Sequence, residues 1–232
     1  MRIIFVRHGE PDYEHDCLTP EGHRQAAAAA ERLARENISR IYASPQGRAQ
    51  QTALYTARRL NLPIVTLDYM HEISWGGPGI PFGGHPWTLG DRMIDEEDCD
   101  FHAGDWRAHP CFAENIATRC YEEVSARFDG FLADQGYRRE GGRYRCESGT
   151  DRTVALFSHG GSGGCALAHT LGLPFPYVAS ALPFEFASVT MLDFPVREGE
   201  FVHPRLALFN DCAHLSAHAR APLIQAHPDA AP

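Results

Sequence analysis

The chain has 232 residues, 44% of them hydrophobic and 22% charged, enough for one domain with a substantial core and ordinary for a globular protein. Its formal net charge of −9 argues against sequence-independent nucleic-acid binding, which is driven by neutralising phosphates. Seven cysteines without a C-x-x-C pair suggest neither a disulfide framework nor a thiolate zinc site, so a reducing cytoplasm is the expected compartment. No apolar run is long enough to cross a bilayer.

In chain order, the apolar run Ile3-Ile4-Phe5-Val6 reads as a strand ending in Arg7-His8-Gly9-Glu10, and strand C-termini are where open α/β sheets bind ligands. Thr19-Pro20-Glu21 supplies an N-cap and a first-turn proline for an alanine-rich helix predicted to run to about Asn37. A strand over residues 40–43, a helix over 45–60 with Arg48 in its first turns, and a strand over 64–67 complete an alternation that predicts a mainly parallel sheet. The rhythm then stops. Residues 75–85 are rich in glycine and proline, and the stretch to about Pro110 is dense in acids and aromatic rings, including Trp75, Phe82, Trp87 and Trp106. It reads as an inserted cap near the site.

A long helix over 113–134 and a hairpin turning at Gly141-Gly142 follow. The sandwich resumes with a strand over 153–157, the segment Ser158-His159-Gly160-Gly161, a helix over 165–173, and strands near 188–194 and 205–209. The expected fold is thus α/β, a three-layer α/β/α sandwich with one domain over 1–215 and a cap over about 73–150. Residues from about Ser216 are rich in Ala, Pro and His and are expected to be disordered.

If these strand ends converge, two arginines and two histidines surround one small anion. Arg7 and Arg48 present planar, permanently charged forks suited to phosphoryl oxygens, and the glycines admit backbone N–H groups to the same anion. Cations nearby should lower the pKa of His8 and keep a ring nitrogen free as a nucleophile.

Four collinear segments carry a family likeness: Arg7-His8-Gly9-Glu10; Leu18-Thr19-Pro20-Glu21-Gly22 with Gln25-Ala26; Ser44-Pro45 with Arg48-Ala49 and Gln51-Thr52-Ala53; and Ser158-His159-Gly160-Gly161. On these, the chain resembles the histidine phosphatase superfamily, also called phosphoglycerate mutase-like. Asn210-Asp211 with His214-Leu215 is similar to the family's C-terminal segment. The resemblance implies a phosphohistidine formed on His8, with Arg7, Arg48, His159 and Gly160 holding the phosphoryl group. It also implies a carboxylate acid after the third strand, here Glu72, while Glu10 orients its loop. Many family members carry Trp-Asn where this chain has Tyr13-Glu14, and the mutase pattern is absent from Trp75-Gly76-Gly77-Pro78. Glu14 and Trp75 are therefore the candidate specificity residues, and hydrolysis of a small phosphomonoester is favoured over mutase-type transfer.

Two rival readings remain. Gly160-Gly161-Ser162-Gly163-Gly164 fits the G-x-S-x-G pattern of serine hydrolases, with Asp193 or Asp211 and then His214 following in order. A phosphate-binding protein without turnover is the other. His102 with His109, and His203 with His214, lack ligand spacing, so no metal and no cofactor is expected. The expected partner is a small phosphorylated substrate, with no nucleic acid and no membrane. The oligomeric state stays open, with a homodimer as one option.

Overall fold

Side-chain alternation along the first strand decides the layering. In the computed structural model, which describes residues 1–89 and 105–215, the chain begins with β1 (Arg2–Arg7), the short hairpin β2 (Pro11–Asp12) and β3 (Cys17–Leu18), and helix α1 (Pro20–Leu33). It continues with β4 (Ile38–Ala43), α2 (Gly47–Leu60) and β5 (Ile64–Thr66). Beyond the cap come α3 (Pro110–Ala113), α4 (Ile116–Asp134), β6 (Tyr137–Glu140) and β7 (Arg143–Cys146). The remainder is β8 (Thr153–Ser158), α5 (Gly160–Leu171), α6 (Phe175–Ala181), β9 (Val189–Asp193), β10 (Phe201–Val202) and β11 (Arg205–Asp211).

Ile3 and Phe5 point to one face of the sheet, against Phe128 and Leu132 of α4 and Leu167 of α5. Ile4 and Val6 point to the other, against Leu33 of α1 and Ala53 and Ala57 of α2. The outcome is the expected α/β/α sandwich. Its sheet runs in the order β11-β9-β1-β8-β4-β5, parallel throughout β1, β8, β4 and β5, with β9 antiparallel to both its neighbours.

The register of the parallel strands positions the site. Arg7 pairs with Ser158 and Ala43 with Phe157, so the three chains leave the sheet at one level and His8, Ser44 and His159 become neighbours. Two glycines then let the loop after β1 cross the first turn of α1. A Cβ on Gly9 would lie 2.5 Å from the Gly22 carbonyl oxygen, and one on Gly22 would lie 2.1 Å from that of Glu10. Neither position admits a side chain.

Several boundaries differ from the sequence expectation. Helix α1 stops at Leu33 rather than near Asn37, which takes a left-handed turn at φ 50°. Helix α5 begins at Gly160, five residues before the predicted start. Glycine is a poor helix former, so the cluster at 160–164 reads as a loop, but burial of that whole turn holds it helical. The predicted helix over 113–134 is α4, which starts three residues later at Ile116 because Glu114-Asn115 separates it from the short α3. Buried Asn115 caps α4 by accepting from the N–H of Ala117, accepts also from Gly76 N–H, and donates to the carbonyls of Gly84 and Cys111.

The cap is also shorter than expected. Residues 116–146 belong to the body: Phe128 of α4 meets Phe5 at 5.8 Å and Phe131 meets Tyr42 at 5.0 Å between ring centroids. Tyr137 of the hairpin packs on Phe194 beside the amino terminus, away from the strand C-termini. The cap reading is thus left with residues before Ile116, of which 73–89 and 105–115 are described. Most of its acidic residues, and the tail from Ser216, fall outside the described residues.

Candidate active site

His8 is 1% exposed at the end of β1. Its Nδ1 lies 2.7 Å from the carbonyl oxygen of Gly9. A carbonyl only accepts, so the ring proton belongs on Nδ1 and Nε2 is left with its lone pair. The guanidinium Nε of Arg48 donates to that atom at 3.3 Å. Burial is the main cause that lowers the His8 pKa well below the usual histidine value, with Arg7 and then Arg48 adding to it. The direction matches the sequence expectation, but desolvation outweighs the cations.

His159 stands at the end of β8 with its ring centroid 5.0 Å from that of His8. Its Nε2 lies 2.7 Å from Ser44 Oγ at the end of β4. When the Ser44 hydroxyl donates to Nε2 the ring proton is on Nδ1, and that atom is buried without a partner. Its pKa too is lowered well below the usual range, chiefly by burial and then by His8 and Arg48. Arg7 donates through Nη1 to the Phe184 carbonyl and lies 4.2 Å over the Phe186 ring, while its Nε is buried and unpartnered. Arg7 Nε and His159 Nδ1 are thus both buried without a partner, one on the residue next to His8 and one on the ring 5.0 Å from it. Buried polar groups are almost always paired, and phosphoryl oxygens are the natural acceptors for both.

Glu72 reaches the same place from the segment after β5. Its Oε1 accepts from the N–H groups of Ile73 (2.9 Å), Gly161 (3.0 Å) and Ser162 (3.2 Å), the last two in the first turn of α5. Such a helix end favours an anion. Even so, burial dominates and raises the carboxyl pKa, against the opposing pull of the Ile73 bond and of Arg7 and Arg48. Gly161 is required here, because a Cβ would stand 2.4 Å from Glu72 Oε1. Gly160 opens α5 with the Arg7 guanidinium and Trp87 3.8 and 3.9 Å from where its Cβ would be.

Other motif residues brace the loops. Gln25 Oε1 accepts from Glu10 N–H at 2.7 Å, Thr52 Oγ1 accepts from Gly9 N–H at 3.0 Å, and Thr19 Oγ1 donates to Glu10 Oε1 at 2.7 Å. Glu10 is thus tied into its loop, as expected.

The specificity candidates fall less centrally. Glu14 is exposed, and its N–H donates to Asp12 Oδ1 in a local turn. The carboxylate that meets Arg48 is Asp16, at 2.5 Å from Nη1, with its Oδ2 2.6 Å from Gly47 N–H. Tyr13 lies 5.4 Å over the same guanidinium. Gln46 Oε1 links Arg48 Nη2 (3.3 Å) to Glu72 N–H (2.6 Å). No sequence pattern singles out Asp16 or Gln46; only the crossing of the β2–β3 loop over the start of α2 makes them functional neighbours. Trp75 stands behind Trp87, at 5.5 Å between centroids, and Trp87 borders Gly160. Trp106 instead packs into the core with Phe112 and Tyr121.

Asp16→Asn should lower kcat about tenfold with little change in KM, since a charge-assisted bond orients Arg48 but is half exposed. Steady-state kinetics on one monoester checks this split. An unchanged kcat would mean that Arg48 holds its pose without Asp16.

The serine-hydrolase reading fails on geometry. Ser162 is fully buried and donates to the Met70 carbonyl, His214 Nε2 lies 3.0 Å from the Ala187 carbonyl, Asp193 pairs with Arg2, and Asp211 lies 3.6 Å from Arg32. Among the described residues no three His, Cys, Asp or Glu side chains converge as a metal site.

The chain is 34% identical over 170 residues to phosphoserine phosphatase 1 of Hydrogenobacter thermophilus (strain DSM 6534 / IAM 12695 / TK-6), covering 68% of this chain and 71% of the relative. It is 27% identical over 232 residues to a probable phosphoglycerate mutase of Enterobacter sp. (strain 638), covering 94% and 97%. Among solved structures, a mycobacterial glucosyl-3-phosphoglycerate phosphatase superposes with a TM-score of 0.61 at 25% identity, over 90% of this chain and 98% of that one. A family model described as histidine phosphatase superfamily, branch 1, matches residues 3–206. With the two histidines and two arginines gathered at the strand ends, the chain belongs to the histidine phosphatase superfamily.

Proposed function

We propose that the protein is a phosphomonoesterase that hydrolyses a small phosphorylated substrate through a phosphohistidine on His8. The observation that carries this reading is the buried, neutral His8 whose Nε2 keeps its lone pair 3.3 Å from Arg48 Nε, with the His159 ring 5.0 Å away and Arg7 Nε and His159 Nδ1 buried without a partner. In the first step Nε2 attacks phosphorus, the bond to the alcohol oxygen breaks, and Glu72 gives its proton to that oxygen. In the second, Glu72 takes a proton from water, the water oxygen attacks phosphorus, the P–N bond breaks, and inorganic phosphate leaves. Arg7, Arg48, His159 and the N–H of Gly160 hold the equatorial oxygens, so that preorganised charge carries much of the barrier lowering.

No step calls for a metal or an organic cofactor, and the net charge of −9 disfavours nucleic acid as a partner. No helix among the described residues is long and apolar enough to cross a membrane. The cysteines at 17, 120, 146 and 165 are free thiols, which supports a reducing cytoplasm. Brief mixing with a ³²P-labelled monoester and quenching in base should trap label on the protein that is stable to base and lost in acid. Burst release of alcohol with no such label would overturn the covalent mechanism, and formation of an isomeric phosphoglycerate in place of free phosphate would favour a mutase.

A further inference from the structure

Glu72 must deliver its proton to an oxygen whose position is set by the cations around the phosphoryl group, so the acid and those cations need a fixed separation. Yet Glu72 follows the 3₁₀ turn Asp68–Met70 in a segment that belongs to no strand or helix. No ladder bond fixes its main chain. A side chain does so instead: Gln46 Oε1 accepts from Glu72 N–H at 2.6 Å. The same oxygen accepts from Arg48 Nη2 at 3.3 Å. Both partners are donors only, so the atom between them is the amide oxygen and not the amide nitrogen.

Gln46 is also out of character for its place. It is the N-cap of α2, a position that favours short side chains folded back onto the first turn, but its side chain makes no capping bond and reaches across to Glu72. Its carbonyl accepts from the N–H groups of Ala49 and Gln50, which anchors the residue to the helix start. Its own N–H donates to Ser44 Oγ at 3.3 Å, the hydroxyl that lies 2.7 Å from His159 Nε2. One residue therefore touches Arg48 and Glu72 directly and His159 through Ser44. The Glu72 carboxyl is held from the other side by Gly161 and Ser162 of α5, so the acid is suspended between the first turns of two helices.

We infer that Gln46 is a positioning residue for proton transfer: its amide oxygen ties the segment that bears Glu72 to the first turn of α2 and holds the acid at a fixed distance from the phosphoryl group on Arg48. The inference rests on the phosphomonoesterase reading, with Glu72 as the acid.

The test compares Gln46→Leu and Gln46→Glu on an alkyl and an aryl phosphate, with thermal melting to confirm the fold. Gln46→Leu removes the acceptor but leaves the Gly161 and Ser162 bonds, so kcat on the alkyl ester should fall about tenfold. The aryl ester, which needs little protonation, should lose less than about twofold. Gln46→Glu keeps an acceptor in place and should recover most of the alkyl rate lost in Gln46→Leu. Its added negative charge beside Glu72 disfavours ionisation of the acid, so the alkaline limb of the alkyl rate should move to higher pH. That shift decides the matter even where Gln46→Leu does not fold. Equal losses on the two esters, no loss, or an unmoved limb in Gln46→Glu overturns the inference, and selective slowing of alkyl esters in Glu72→Gln then leaves the phosphatase reading standing. No turnover of any monoester by the wild type overturns both.

Discussion

Turnover in His8→Ala is expected to fall by on the order of 10⁴-fold or more, with the loss in kcat, because the group that forms the covalent bond is gone while the oxyanion donors remain. The base-stable label should vanish with it. Folding should survive, since the bonds that hold the loop are made by Thr52 to Gly9 N–H and by Gln25 to Glu10 N–H, and the imidazole itself bonds only within its own turn and to Arg48. A stability readout separates this variant from a misfolded one. In the wild type His8 and His159 have lowered pKa values when folded, so below the ordinary histidine value of 6.5 the unfolded chain binds more protons and stability falls as pH drops. His8→Ala removes one of these two contributions, and its thermal midpoint should decline less steeply below pH 6.5. Near-normal turnover with an intact melting transition would rule out the phosphohistidine.

How far this site was legible depends on what sets each position. Arg7, His8 and His159 sit at the ends of apolar runs, where strand periodicity fixes their level in the sheet, and the parallel register of Arg7 on Ser158 brings them together. Arg48 is placed by the first turn of a helix, again a local signal. Glu72 is legible only by its place after β5, because what defines it chemically is contact with Gly161 and Ser162, nearly ninety positions away. Asp16 depends on a loop crossing with no periodicity, and it escaped for that reason; Glu14 stands exposed where Asp16 makes the contact. The glycines of α5 misled the boundary because intrinsic propensity favours a loop, whereas tertiary burial decides for a helix. The cap was overextended because α4 reads as a helix in an irregular region, and only its packing partners Phe5 and Tyr42 show that it covers the sheet.

Glu72→Gln is expected to slow alkyl phosphates by about 10²-fold to 10⁴-fold while aryl phosphates, which leave without much protonation, lose far less. The amide oxygen can still accept from Ile73, Gly161 and Ser162, so geometry and KM should be kept and the loss should appear in kcat. The pH profile supplies the second readout. Burial raises the Glu72 pKa, so the protonated, donating form persists above the ordinary carboxyl range and is lost as pH rises through the raised value. His8, with its pKa lowered, is already a free base well below pH 6.5. The two shifts open the working window from both sides, His8 at its acid limit and Glu72 at its alkaline limit: the wild-type rate on an alkyl ester should fall on the alkaline side as Glu72 ionises, and that limb should flatten in Glu72→Gln. The same substitution should slow dephosphorylation, where the carboxylate takes the proton from water, so labelled enzyme should accumulate with an aryl phosphate. Equal losses on alkyl and aryl esters, with no accumulation of label, would remove Glu72 from both proton transfers and leave it as a structural ligand of the α5 N-terminus.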